Sequence, residues 1–198
     1  MLGRQIAFGA FAAVLVACST DTPAPTALEF RAPVYAVRAN SDINLGTHLT
    51  GDEEVPPRET QAQGQAIFRV DATGTSVDFR LIASNIFNVV QAHIHCGAKG
   101  SNGPIVQWLY PNTAAGPALT GPTGRQSGVL ASGTFSLTNV VCGPTSPNGL
   151  AGVALLEAIR SGSTYVNVHT NDGAGSTNTG PGDFPGGEIR GQIDHENH

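Results

Sequence analysis

Short alternating segments separated by turn-forming residues are the feature that most constrains how this chain can fold. Residues 77–81 alternate apolar and polar side chains, and this period of two is typical of a strand with one buried face. With 25 Gly and 13 Pro among 198 residues, the chain is too rich in turn formers for a helical bundle. Similar segments, each bounded by Gly, Pro, Asn or Ser, recur at 65–71, 89–96, 105–110, 129–141, 165–170 and 188–193.

The pattern predicts an all-β fold, a Greek-key β-sandwich or barrel of about eight strands. One segment differs, because residues 149–162 place apolar side chains at helical spacing between two glycines and therefore predict a single short helix. Two long connections, 111–126 and 171–187, are rich in Gly, Pro, Thr and Asn. Loops of that length are often functional.

The first 17 residues predict a secretory signal peptide. Arg4 precedes an apolar run that ends at Val16 and is followed by the small residue Ala17. The run has about 11 residues, whereas a helix that spans a bilayer needs about 20. We therefore expect residues 1–17 to direct export rather than to form a transmembrane anchor.

Cys18 is predicted to carry a lipid. Leu15-Val16-Ala17-Cys18 resembles the bacterial lipobox, in which the cysteine becomes the diacylated first residue after cleavage. The alternative is that Cys18 is an ordinary residue of a plain signal peptide. Residues 18–44 are rich in Ser, Thr, Pro and Ala and predict a flexible, lipidated tether, which leaves 45–198 as the folded domain. The expected location is the cell envelope, outside the cytoplasm, with the membrane as a partner through the anchor.

Cys96 and Cys142 are the two thiols that remain if Cys18 is lipidated. An even pair in an oxidising compartment predicts a disulfide. Two free buried thiols are the alternative. A metal-binding role is less favoured, because neither cysteine belongs to a Cys-x-x-Cys pair.

Charge and missing motifs exclude several classes of function. The net charge is −5 and only 13% of residues are charged, so there is no basic patch for nucleic acid. The sequence contains no P-loop, no His-Glu-x-x-His and no Gly-x-Ser-x-Gly. No serine or cysteine has a recognisable base nearby in sequence, which favours a non-enzymatic protein over a hydrolase.

In three predicted strands, the residues that share one face of the strand are polar. Because successive side chains of a strand point to opposite faces, the apolar Ala92 and Ile94 leave His93 and His95 together on the other face. The other two strands expose polar faces made of Tyr165, Asn167 and His169, and of Glu188, Arg190 and Gln192. This composition favours a hydrogen-bonded network or a binding site over a plain solvated sheet.

His93, His95 and His169 are the candidate metal ligands. Imidazoles at i and i+2 of a strand can reach one ion, and His169 would supply a third nitrogen from a neighbouring strand. Three histidines with an open position suit copper or zinc, with affinity falling below pH of about 6.5 as the imidazoles take protons. Asn167, Glu188 and Arg190 are the candidates for surrounding this site, with Glu188 or Asn167 orienting an imidazole.

Two other interpretations of the histidines stay open, and a calcium site at other residues is a third alternative. The histidines could bond to backbone groups and to Glu188 and so fix the loops, or they could line a groove for another ligand. A calcium site at Asn171, Asp172 and Asp183 is a weaker possibility, because acidic ligands are sparse and no EF-hand spacing occurs.

Five ordered motifs resemble the CHRD domain, which is named from chordin. They are LTGDEEVPP at 49–57, QAHIHCG at 91–97, NGP at 102–104, YVNVHT at 165–170 and PGGEIRGQI at 185–193. The resemblance runs from about residue 45 to 194 and implies an all-β domain of extracellular and bacterial secreted proteins, generally without an assigned activity. It favours a non-enzymatic binding or structural module with an unknown extracellular ligand or protein partner, and the alternative is a mononuclear copper or zinc protein that could be redox active.

A weaker likeness connects the chain to copper-zinc superoxide dismutases. Those Greek-key barrels carry a His-x-His copper motif on a strand, which His93-Ile94-His95 matches. No histidine lies between His95 and His169, so the bridging imidazole and the zinc loop of that family have no counterpart. This likeness therefore implies at most a mononuclear site.

Overall fold

The computed structural model describes residues 43–111, 124–143 and 152–195. The predicted signal peptide at 1–17, Cys18 and nearly all of the predicted tether at 18–44 lie outside the described residues. So do most of the predicted loop at 111–126 and the first residues of the predicted helix at 149–162.

Strands dominate the described part of the chain. One short helix, α1 (Leu155–Arg160), and one 3-10 turn (Gly51–Glu53) accompany them. The strands are β1 (Ile43–Thr50), β2 (Gln63–Val70), β3 (Ser76–Phe87), β4 (Val89–Cys96), β5 (Ile105–Tyr110), β6 (Arg125–Ser136), β7 (Val141–Cys142), β8 (Val153–Ala154), β9 (Thr164–Thr170), β10 (Ile189–Gln192) and β11 (Asp194–His195).

The strands form one curled antiparallel sheet in the order β5-β4-β9-β10-β1-β2-β3-β6, with β11 added beside β1. The two edge strands, β5 and β6, approach one another, so the sheet nearly closes into a barrel. Across that approach the order β3-β6-β5-β4 is a Greek key. The predicted all-β fold is confirmed. The short strands β7 and β8 pair separately.

Alternation along the strands builds the core. On β2 the buried positions are Gly64, Ala66, Phe68 and Val70, and exposed or partly exposed residues lie between them. These side chains meet the inward faces of the neighbouring strands, among them the fully buried Leu81. Removing such surface from water is the main favourable term in folding a domain of this kind.

A disulfide joins the end of β4 to β7. Cys96 and Cys142 are bonded, with their Cα atoms 5.5 Å apart. The predicted pairing is confirmed, and neither thiol is free.

Two predicted elements need correction, and one strand was missed. Helix α1 spans six residues rather than the predicted 149–162, because Val153 and Ala154 are extended and pair with β7. The predicted strand at 129–141 is two strands, since Asn139 adopts a left-handed φ of 63° and turns the chain between β6 and β7. Strand β1 was not predicted, because Thr47 interrupts its apolar face.

Among residues 43–111, 124–143 and 152–195, no helix combines the length and the apolar composition that a membrane span requires.

Candidate metal centre

Strand pairing brings the three predicted ligands together. In the antiparallel register of β4 and β9, His93 lies opposite Asn167 and Gln91 lies opposite His169. His169 is therefore diagonal to His93, while His95 follows on the same face of β4. Each histidine offers one ring nitrogen to a group whose members all lie within 4.8 Å of one another. Within the described residues this is the one such group of three His, Cys, Asp or Glu side chains, and it does not include Asp172 or Asp183.

The cluster is buried rather than exposed. His93 is 0% exposed, His95 8% and His169 6%. Parity alone predicted an exposed polar face, and this was wrong because the β4–β5 and β9–β10 loops fold over it. Gly103 in the first loop and Pro185 in the second each accept a hydrogen bond from a histidine of the cluster.

Two backbone carbonyls fix the tautomers of His95 and His169. The Nδ1 atom of His95 lies 2.8 Å from the Gly103 oxygen, and Nδ1 of His169 lies 2.8 Å from the Pro185 oxygen. A carbonyl oxygen can only accept, so each Nδ1 carries the proton and donates. In the neutral ring, Nε2 then carries a lone pair, which is the form of imidazole that binds metals.

The ring nitrogens left over have few partners in the protein. The Nε2 atoms of His93 and His95 are buried and have no hydrogen-bond partner among the residues that the structure describes. The Nδ1 atom of His93 lies 3.2 Å from Nε2 of His169. Two imidazole nitrogens on one tetrahedral zinc ion lie roughly 3.3 Å apart, given bonds of about 2.0 Å. The His93–His169 pair therefore has the spacing of two ligands on one ion, and His95, whose Nε2 has no partner among the described residues, offers a nitrogen within 4.8 Å of them.

Burial keeps the three imidazoles neutral. Desolvation, reinforced by the neighbouring histidines, lowers the pKa of His93 to about 2. Desolvation also lowers the pKa of His169 to about 4 and lowers that of His95. The expectation that protons displace a metal once the pH falls below about 6.5 is therefore corrected, since the folded protein resists protonation until lower pH.

Two aromatic rings enclose the cluster. The ring of His93 meets Trp108 edge to face, with centroids 4.0 Å apart. The ring of His95 stacks on Tyr165, with centroids 4.8 Å apart. Trp108 is the single tryptophan of the chain, so its fluorescence can report events at this site.

The residues predicted to surround the histidines divide into two groups. Asn167 contacts the cluster, because its Oδ1 lies 2.9 Å from Nε2 of His169. Arg190 contacts Tyr165, which stacks on His95, and its guanidinium lies 3.4 Å from the centroid of the Tyr165 ring. Glu188 does not contact an imidazole, and the prediction that it orients one is wrong.

Glu188 instead fastens the loop that covers the site. Its carboxylate accepts hydrogen bonds of 2.6 Å from the hydroxyls of Thr60 and Thr170, and one of 2.8 Å from the backbone of Gly182. Glu188 does not point at the histidines because it precedes β10, and its carboxylate contacts Thr170 at the end of β9.

Glu54 was not predicted as part of this region. It is 4% exposed, and desolvation raises the pKa of its carboxyl to about 7 against the opposing charges of Arg190 and Arg58. The Nδ2 atom of Asn167 and the Oε1 atom of Glu54 both border the space beside Gly187, and the amide lowers the pKa of this carboxyl against the effect of burial. The only signal in the sequence was its place in the LTGDEEVPP motif, which carried a resemblance but no stated role.

The chain was compared with known proteins. The CHRD domain family model matches residues 45–193. Neither the curated proteins nor the solved structures gave a match. The weaker likeness to copper-zinc superoxide dismutases is therefore not confirmed. Because the family match covers most of the chain, including all three histidines, the chain belongs to the CHRD domain family.

Proposed function

We propose that this protein is a lipid-anchored, extracytoplasmic CHRD module that binds one copper or zinc ion through His93, His95 and His169. Family membership suggests a binding or structural module. The lipobox-like Leu15-Val16-Ala17-Cys18 supports the anchor and the location. The role we propose is binding rather than catalysis, in keeping with the binding or structural module that the family suggests.

The observation that carries the metal proposal is the convergence of unused lone pairs. Backbone carbonyls hold His95 and His169 in the tautomer that presents Nε2, Nδ1 of His93 faces Nε2 of His169 at 3.2 Å, and Nε2 of His95 has no partner among the described residues. A buried nitrogen without a partner costs about 1 to 3 kcal/mol. A metal ion would satisfy these lone pairs, and imidazole suits both copper and zinc.

A purely structural role is the second candidate, and the same two carbonyl contacts favour it. His95 and His169 fasten the loops that contain Gly103 and Pro185. In that case His95→Ala would lower the free energy of unfolding of the metal-free protein by about 1 to 3 kcal/mol, since the Gly103 carbonyl loses its donor. Added metal would then change the free energy of unfolding of neither the variant nor the wild type.

Calorimetric titration separates the two candidates. Metal-stripped protein is titrated with copper(II) and with zinc, beside a His93→Ala, His95→Ala, His169→Ala variant whose fold is checked by circular dichroism. We expect micromolar or tighter binding in the wild type and none in the variant. Absence of binding in the wild type, or equal binding in both proteins, would refute the metal site.

A further inference from the structure

We infer that Asn167 is the fourth ligand of this site, through Oδ1, and that the ion is closed off from substrates. The inference rests on the proposed metal function and extends it from three nitrogens to a set of three nitrogens and one oxygen. Its consequence is a structural ion that fastens strands, rather than a reactive centre.

The first argument is a contact between two acceptors. Nε2 of His169 carries a lone pair, because Nδ1 of the same ring donates to Pro185. The atom that faces this lone pair at 2.9 Å is Oδ1 of Asn167, which is also an acceptor. Two lone pairs at that distance repel one another unless a cation or a proton lies between them. With the imidazole neutral, a metal ion fills this requirement.

The second argument concerns the direction of the Asn167 amide. Nδ2, the donor end of the amide, and Oε1 of Glu54 both border the space beside Gly187. Oδ1 is the opposite end of the amide, and it lies 2.9 Å from Nε2 of His169. In the register of β4 and β9, Asn167 also lies directly opposite His93. Its oxygen is therefore directed at the same space as the imidazole nitrogens.

The third argument is the space reserved for this arrangement. Gly187 has a φ of 122°, and a Cβ added there would lie 2.8 Å from Nδ2 of Asn167 and would also collide with Oε1 of Glu54. A side chain at this position would push the amide out of its orientation. The backbone of the β9–β10 loop is thus shaped around the pair of Glu54 and Asn167.

Four donors leave no position for a substrate. Structural zinc sites are closed by four protein ligands, whereas catalytic sites keep one position open for water or substrate. Asn167 is 4% exposed and the three histidines are buried with it. An ion held here joins β4 to β9 and, through Glu54, reaches the segment that follows β1.

Anion binding to the cobalt(II)-loaded protein tests whether the fourth position is taken. The visible spectrum of cobalt(II) reports the coordination number, and azide enters only an open position. We expect a four-coordinate spectrum in the wild type that azide does not change. We expect Asn167→Leu to lose at least about tenfold in affinity, the loss produced when even an orienting partner is removed, and to bind azide. Asn167→Asp keeps an oxygen and should resist azide, as should Gln91→Leu, the amide control on β4.

The outcomes distinguish this inference from the function on which it rests. If the wild type binds no cobalt or zinc, the proposed metal function fails. If the wild type binds metal but its spectrum shifts with azide, the position is open and the assignment of Asn167 is overturned while the histidine site stands. The wild-type titration gives this answer even if Asn167→Leu does not fold. Unchanged affinity in a folded Asn167→Leu would overturn the assignment as well.

Discussion

The ring of His95 lies flat against the ring of Tyr165, with their planes 7° from parallel. The guanidinium of Arg190 covers Tyr165 at 3.4 Å, and Arg190 itself is 1% exposed. A buried cation is therefore connected to His95 of the cluster through one aromatic ring. The same guanidinium donates hydrogen bonds to Asn102 Oδ1 and to the carbonyls of Ala98 and Ser101. It thereby holds the β4–β5 loop over the histidines.

Replacing Arg190 should be costly. Arg190→Met removes the positive charge that acts most strongly on the Glu54 carboxyl, and it leaves the Ala98 and Ser101 carbonyls without these donors. We expect the free energy of unfolding to fall by about 3 kcal/mol, the usual cost of removing one partner of a buried charge pair. Urea denaturation measures this change. Arg80→Met, at an exposed position of β3, is the matched control and should have little effect. Equal losses in both variants would contradict the role given to Arg190.

Acid should destabilise the metal-free protein. The unfolded histidines bind protons below about pH 6.5, whereas folded His93 and His169 have pKa values of about 2 and about 4. The unfolded state then binds more protons than the folded state. The free energy of unfolding therefore decreases, as the pH is lowered, by about 1.4 kcal/mol per pH unit for each such histidine. Glu54 acts in the opposite direction, because its raised pKa of about 7 lets the folded state bind a proton before the unfolded state does. It offsets the contribution of about one histidine.

Urea midpoints between pH 7 and 5 measure this slope. His93→Ala should flatten it, because the variant lacks the histidine whose pKa is lowered to about 2. A slope that is the same in wild type and His93→Ala would show that the buried cluster does not control the response to acid.

Reduction should lower the melting temperature. The bond between Cys96 and Cys142 closes a loop with a sequence separation of 46, and loop-closure entropy puts its stabilisation at about 4 kcal/mol as an upper figure. Because Cys96 follows His95 directly, the loss should also loosen β4 at the site. Calorimetric melting with and without a reductant measures the shift. Two alkylatable thiols in unfolded, unreduced protein would contradict the bond.

Lipidation should depend on Cys18. Cys18→Ala should release the protein from membranes or leave the precursor uncleaved, because the diacylated residue is missing. Membrane fractionation and mass spectrometry of the N-terminus read the outcome. An unmodified mature N-terminus that begins beyond Cys18 in the wild type would rule out the anchor.

Local periodicity was enough to predict much of this fold. Alternation located β2, β4, β5 and β9 within one or two residues of their ends, and parity put His93 and His95 on one face. The pairing of Cys96 with Cys142 followed from the number of thiols. These are properties of single strands or of composition, and they need no knowledge of which strands are neighbours.

The remaining features depend on contacts between distant segments. The histidines are buried because two loops fold over β4 and β9. The alternation of side chains along a strand does not show whether loops cover one of its faces. Glu188 shares a predicted polar face with Arg190, yet its carboxylate is taken by Thr60 and Thr170. Glu54 reaches Asn167 from a segment more than a hundred residues earlier, so no local pattern could connect them.

Metal analysis of the protein as it is made tests the central claim most directly. The full chain is purified in detergent without a histidine tag, chelating resin or added metal, and its copper and zinc are measured by mass spectrometry. We expect close to one ion per chain in the wild type and almost none in the His93→Ala, His95→Ala, His169→Ala variant prepared in parallel. Wild-type protein with no more copper or zinc than the variant would contradict the claim that this buried cluster is a metal centre.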